Sequence, residues 1–260
     1  MEAEEKIKSS VTFSTKCWEN DWSVILEAGF LDKMIKRNNY NFDEKILVIN
    51  NIKNKKKVEE AALKQKRNGV IDRYFFVEEY EDNILDFFNI SRKSFFEKNK
   101  DGYLYSICEL FEIFYAKTDY LVHFSGDSIL EKKYNWIDEG KLIFTKNDNV
   151  SVVNPCWDGK FNEVKNESIE EKDNYFLSEG YFSDQCYMIK LKDFKKRIYN
   201  EIHPFSKRYP RYAGNLFEKR VDAWMRNYKK QRATLKNISY KHKNWNLFNK
   251  LKFKIFNKKN

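Results

Sequence analysis

The stretch that most constrains this chain is TDYLVHFSGDS, Thr118 to Ser128. Tyr120 to Phe124 reads as a buried strand. It ends on a short polar turn holding one carboxylate, Asp127. A helical run, LYSICELFEIFYAK, comes directly before it. Helix, apolar strand, then an acid at the strand's carboxyl end is how an open α/β sheet places a ligand site.

The flanking sequence repeats that logic. Val11 to Ser14 forms a first strand, followed by a loop through Asp21 and a helix from Trp22 to about Arg37. In that helix Trp22, Ile25, Leu26, Phe30 and Met34 recur at helical spacing. Lys45 to Asn50 is a second strand, and Lys55 to Asn68 a polar helix with Gly69 as C-cap. Ile71 to Val77 is a third strand. Three strand–helix steps predict a parallel sheet with right-handed crossovers.

After an insert of short helices from Glu78 to Gly102, Leu142–Thr145 and Val150–Val153 read as two short strands. Asn154 to Ser178 reads as a charged surface excursion. Tyr187–Leu191 is a further strand and Lys192–Glu201 a helix. Asn215–Tyr228 is an amphipathic helix with Asn215 as N-cap and Glu218 three residues on.

The net charge of +10 invites a nucleic-acid reading, but its distribution opposes one. Ala223 to Asn260 carries 12 Lys and Arg and no acid, which leaves 37 basic against 39 acidic residues before it. The body is near neutral and the excess sits in the tail. Cys17, Cys108, Cys156 and Cys186 stand far apart, with no Cys-x-x-Cys, and are expected as reduced thiols. The chain has no apolar run long enough for a membrane span, and MEAEEKIKSS has no apolar core of a secretory signal. No Gly-x-Gly-x-x-Gly or Walker loop is present.

Ser14, Thr15 and Asn50 lie at the carboxyl ends of the first two strands, where a nucleotide would bind. The alternative for each is turn chemistry. Glu218 and Asp222 stand four apart and share a helix face, either as candidate acid–base groups or as a solvated charge ladder. His123 alternates with apolar neighbours and reads as a satisfied core histidine. His203 precedes a proline and reads as loop structure.

Taken in order, the strand with its Ser-Thr loop, the strand ending in Asn50, helix–strand–SGD, the FSDQ segment, the Glu-x-x-x-Asp helix and a His in a basic tail span residues 10 to 245. That succession resembles the bacterial polysaccharide type of GT-A nucleotide-sugar glycosyltransferase. In that family the central strand usually ends in Asp-x-Asp; here the triplet is Ser125-Gly126-Asp127, so the first acid is missing.

The resemblance implies a GT-A catalytic domain over 1–228, with a mixed, mainly parallel sheet flanked by helices, and a basic aromatic tail over 229–260. It implies transfer of a sugar from a nucleotide donor, UDP-linked, to a hydroxyl of a glycan or lipid-linked acceptor. Mn²⁺ or Mg²⁺ is the implied cofactor, held by Asp127 and by His242, with Ser125 keeping a hydrogen bond on the nucleotide side. Asp184 would touch the transferred sugar or the acceptor. Asp222, beside Trp224 as a sugar platform, or Glu218 would be the general base of an inverting reaction; without a base, a retaining course is the alternative.

The tail mixes Trp245, Phe248, Phe253 and Phe256 with lysines, which fits an anionic membrane face or, equally, aromatics packed onto the body with the lysines solvated. A cytoplasmic protein, peripheral on the inner face of the membrane, is then expected, and nucleic acid is the least favoured partner. The competing class is a catalytically silent protein that binds membrane or nucleic acid.

Overall fold

Ten strands among the described residues form one mixed sheet, flanked by helices on both faces. The structure, a computed structural model, describes residues 9–96, 100–209, 217–243 and 245. In chain order the elements begin with β1 (Val11–Cys17), α1 (Trp22–Glu27), α2 (Phe30–Arg37), β2 (Glu44–Ile49), α3 (Lys55–Arg67) and β3 (Arg73–Phe76). Next come α4 (Glu81–Phe88), α5 (Arg92–Phe96), α6 (Lys100–Tyr115), β4 (Tyr120–Phe124), β5 (Ser128–Leu130) and α7 (Ile137–Lys146). The remainder is β6 (Val150–Trp157), α8 (Phe161–Glu167), β7 (Glu170–Glu171), β8 (Tyr175–Glu179), β9 (Cys186–Lys190), α9 (Leu191–Phe194), α10 (Phe217–Asn227) and β10 (Gln231–His242).

The strand order is β3-β2-β1-β4-β9-β6-β10-β8-β7, with β5 on β10. From β3 to β4 every pairing is parallel, as is β6 with β10; β9 runs antiparallel between β4 and β6. The chain leaves β1 towards β2 and β3, then returns to β1's other side as β4. The switch point of the sheet is therefore the β1–β4 seam, where Thr15 faces Phe124.

Strand alternation feeds two cores. Phe13, Leu47, Ile49, Val122 and Phe124 pack under α1, α2, α3 and α7. Val48, Leu121, Tyr187 and Ile189 pack under α4, α6 and α10. Asn54 caps α3 by accepting from Lys57 N at 3.1 Å, and Gly69 follows that helix at φ +71°. All four cysteines are free and buried.

Four expectations are corrected. Leu142–Thr145 is not a strand but part of α7, because Ile137, Gly140, Lys141 and Phe144 bury one helical face. The stretch after Asn154 is not a simple surface excursion. Asn154, Pro155 and Cys156 continue β6 into the core, and Pro155 is tolerated because β9 pairs only with Val152 and Val153. The helix from Lys192 shortens to α9, since the chain folds back where Tyr199 OH donates to Phe194 O at 2.8 Å. Finally, Gln231–His242, assigned to the tail, is the longest strand of the sheet, with Ala233, Thr234 and Leu235 fully buried between β6 and β8. Asn215 and the tail beyond Trp245 lie outside the described residues.

Candidate active site

At the carboxyl end of β4 the chain turns through Ser125, Gly126 and Asp127. Ser125 N donates to Gln185 O at 2.8 Å, and Ser128 N closes the turn on Ser125 O at 2.9 Å. Gly126 is required by close approach. A Cβ there would lie 2.4 Å from the Lys16 carbonyl oxygen and 2.6 Å from Ile25 Cδ1. The turn is thus seated on the exit of β1 and on α1, which aims Asp127 outward.

His242 reaches the same place from 115 positions away in sequence, because β10 pairs with β5 and sets His242 opposite Ser128. Its Nε2 lies 2.7 Å from Asp127 Oδ2, with the two side chains 35% and 24% exposed, so both can be reached by a ligand. Lys243 N donates to Asp127 O at 2.7 Å, His242 N to Asp158 Oδ1 at 3.2 Å, and Trp245 Nε1 to Gly126 O at 3.3 Å. The Trp245 ring meets Phe30 edge-on at 4.9 Å. The hydrogen bond that His242 donates to Asp127 raises the His242 pKa, against the opposing effect of burial.

Of the residues expected to hold a nucleotide, Ser14 and Thr15 are fully buried, and Thr15 Oγ1 donates to Phe124 O at 2.7 Å. Strand alternation turns Ser14 inward towards Glu112 on α6, so neither hydroxyl faces the mouth; that expectation is corrected. Asn50 ends β2, its N–H bonded to Cys17 O at 3.0 Å, and is 2% exposed. Ser125 lies in the mouth, nearly buried.

Beneath the mouth lies an array that sequence reading missed. Lys16 contacts Glu109 of α6; Glu109 Oε1 lies 3.9 Å from His123 Nε2; and His123 Nδ1 lies 2.7 Å from Glu112 Oε1. The Glu109, Glu112 and His123 side chains are fully buried, and only Lys16 reaches solvent. The available signal was the pair of acids three apart in an otherwise apolar helix. His123 is a core histidine, as its alternation suggested.

Burial raises Glu112 to about 8 and lowers His123 to about 4. Burial also raises Glu109. For Lys16, burial acts downward, but Glu109 and Asp184 outweigh it and hold the ammonium charged. At neutral pH the array therefore holds a neutral Glu112–His123 pair beside the contact of Lys16 with Glu109.

These shifts fix a pH dependence of stability. Between the ordinary carboxylate value and about 8, folded Glu112 keeps a proton that the unfolded chain has released, so stability is lost as pH rises. His123 acts oppositely between about 4 and its ordinary 6.5. Above pH 6.5 that opposition ends, and stability is expected to fall by roughly 1–2 kcal/mol by pH 8. Urea melts at the two pH values test this. Glu112→Gln should flatten the dependence, and an equally steep fall in that variant would refute it.

Asp184 enters β9 half-buried, and its charge acts on Lys16, His123 and His242 alike. It therefore lies within electrostatic reach of both the array and the Asp127–His242 pair. Asp222 is elsewhere and fully buried. It accepts from Tyr181 N at 2.6 Å, Ser206 Oγ at 2.5 Å, Tyr209 OH at 3.3 Å and Arg226 Nε at 2.9 Å. A carboxylate so enclosed cannot reach an acceptor hydroxyl, which corrects its assignment as general base.

What Asp222 does is clamp a turn. Gly180 and Tyr181 are both left-handed, at φ +72° and +57°, and a Cβ on Gly180 would lie 2.6 Å from Asp222 Oδ1. Arg232 holds the Tyr181 carbonyl. Together they fix the start of the segment that delivers Asp184. Trp224 is 4% exposed and packs edge-on against Phe194 at 5.3 Å, so it is core and not a sugar platform. Glu218 is nearly buried in the first turn of α10.

No protein-family model matches the chain, and no curated protein matches it. Among solved structures, galactosyltransferase LgtC with donor and acceptor sugar analogues is similar over 86% of this chain and 72% of that one, at 11% identity and a TM-score of 0.41. Glucosyl-3-phosphoglycerate synthase from Mycobacterium tuberculosis with Mg²⁺ and UDP is similar over 72% of this chain and 58% of that one, at 12% identity and 0.39. A mycobacterial protein is similar over 96% and 72%, at 11% identity and 0.44. All three likenesses are remote, and the chemistry of the site rests on its own geometry.

That geometry offers one carboxylate oxygen and one imidazole nitrogen, converging from two elements at the sheet's switch point. Among the described residues no group of three His, Cys, Asp or Glu could hold a metal ion. Two protein donors suit a cation that takes its remaining ligands from a substrate and water.

Proposed function

We propose that the chain is a metal-dependent glycosyltransferase that moves a sugar from a UDP-linked donor to a hydroxyl of a glycan or lipid-linked acceptor. The observation that carries this reading is the meeting of Asp127 and His242 at 2.7 Å, partly exposed, beyond the β1–β4 seam. Of Mn²⁺ and Mg²⁺, a mixed oxygen and nitrogen donor pair fits Mn²⁺ better, since Mg²⁺ prefers oxygen alone, and these two residues would hold it. The cation, when bound, supplies counter-charge to the diphosphate leaving group.

The chain's own groups do the rest. Gly126 lets the turn sit low against β1. Asp184 would accept from a sugar hydroxyl, and Lys16 would present its charge at the floor. Lys243 N and Trp245 Nε1 hold the two halves of the metal pair in register.

The burial of Asp222 favours a second reading of the stereochemistry. An inverting reaction needs an accessible base, and of the helix pair only Glu218 remains, nearly buried. A retaining reaction needs none from α10. Incubation of the full chain with a panel of nucleotide sugars tests the assignment. UDP release in Mn²⁺ that stops with chelator is expected. Release that is indifferent to chelator would remove the metal from this reading, and none from any donor would leave the silent binding protein as the better account.

A further inference from the structure

Ile202 and Phe205 are 73% and 72% exposed, the most exposed large apolar side chains among the described residues. With exposed Pro204 they form the tip of one loop. Tyr228, 59% exposed, stands beside them at the end of α10, where its hydroxyl donates to Glu201 Oε1 at 3.4 Å and Asn227 Nδ2 donates to Glu201 Oε2 at 2.7 Å.

The tip is held out by a rigid base. Ser206 and Tyr209 are buried and bonded to Asp222, and His203 stacks on Phe205 at 5.7 Å. These apolar groups are therefore presented to solvent, where burial would be favourable and is absent.

The exposed charge around the tip is mainly basic: Lys196, Arg226 and Arg232 are paired with Asp193, Asp222 and Glu167, but Arg197, Lys207 and Lys229 are exposed. From Lys195 to Tyr209 the sequence carries five basic residues and Glu201 alone, and from Ala223 to Arg232 four basic residues and no acid. Arg226 lies 5.9 Å from the Phe205 ring. The one acid is engaged with Asn227 and Tyr228.

We propose that this loop tip docks the protein on an anionic lipid bilayer, with Ile202 and Phe205 entering the acyl boundary and the surrounding cations meeting lipid phosphates. A narrow apolar tip ringed by cations suits the membrane interface. It is too small for the core of a stable protein interface, which needs about 800 Å² per partner. Because Asp222 ties the tip to the turn before Asp184, docking would hold the mouth beside the membrane. The inference does not rest on the transferase reading, since vesicle binding is measured without substrate.

The native cysteines are buried, so Phe205→Cys in the full chain gives one addressable thiol for a polarity-sensitive nitrobenzoxadiazole label. Vesicles containing phosphatidylglycerol should raise its emission several-fold, less so at high salt, and phosphatidylcholine vesicles should not. The variant I202S/F205S should keep its melting temperature and lose at least tenfold in vesicle affinity. Three results would overturn the proposal: no co-sedimentation with anionic vesicles; co-sedimentation with the label still in water and the serine variant unaffected, which would assign docking to the tail; or an equal emission rise with an acidic polypeptide in the absence of lipid.

Discussion

Asp127→Asn is expected to lower Mn²⁺-dependent UDP release by about a hundredfold to a thousandfold, the range for removing a charge that acts on the leaving group. The amide keeps the shape of the turn and a hydrogen bond to His242, so structure is retained. It removes the one carboxylate of the donor pair and, with it, the negative charge that faces the imidazole. Because the side chain is one-quarter exposed, the melting temperature should move by only a few degrees. His242→Asn should weaken metal dependence in the same direction but less, since the carboxylate charge stays. Turnover of the Asp127 variant at the wild-type rate would remove this residue from the site.

Asp222→Ala is expected to act mainly on stability. The carboxylate accepts from four donors in full burial and balances Arg226. Removing one partner of a buried ion pair leaves an uncompensated charge, at about 3–5 kcal/mol. Urea melts should show a loss of that size. With the Gly180–Tyr181 turn loosened, Asp184 is held less firmly, so donor KM should rise while the pH–rate profile keeps its shape. A catalytic base would behave otherwise: kcat would fall, the profile would lose a limb, and stability would change little.

The parts legible in the sequence were those with short-range signatures. Strands β1 to β4 showed their apolar runs, and Gly69 marked the end of α3. The turn carrying Asp127 stood out because it follows a buried strand. The misreadings came from interactions that cross the sheet. Gln231–His242 looked like a basic tail because Arg232, Lys236 and Lys241 dominate its composition. Their charges are met by Glu167, Glu171 and Glu131 on neighbouring segments, which no local pattern reveals. Asp222 looked solvated because α10 is amphipathic, yet a turn some forty residues earlier covers it. Glu109 and Glu112 carry no local sign of their partners, since Lys16 and His123 reach them from β1 and β4.

The central claim is that Asp127 and His242 together hold a divalent cation against a nucleoside diphosphate. A crystal of the full chain grown with Mn²⁺ and UDP, measured at a wavelength giving anomalous signal from manganese, tests it directly. The expected map has one manganese peak in bonding contact with an Asp127 carboxylate oxygen, His242 Nε2 and the diphosphate. Manganese bound elsewhere, or UDP seated away from the β1–β4 seam with the Asp127–His242 hydrogen bond intact, would contradict it.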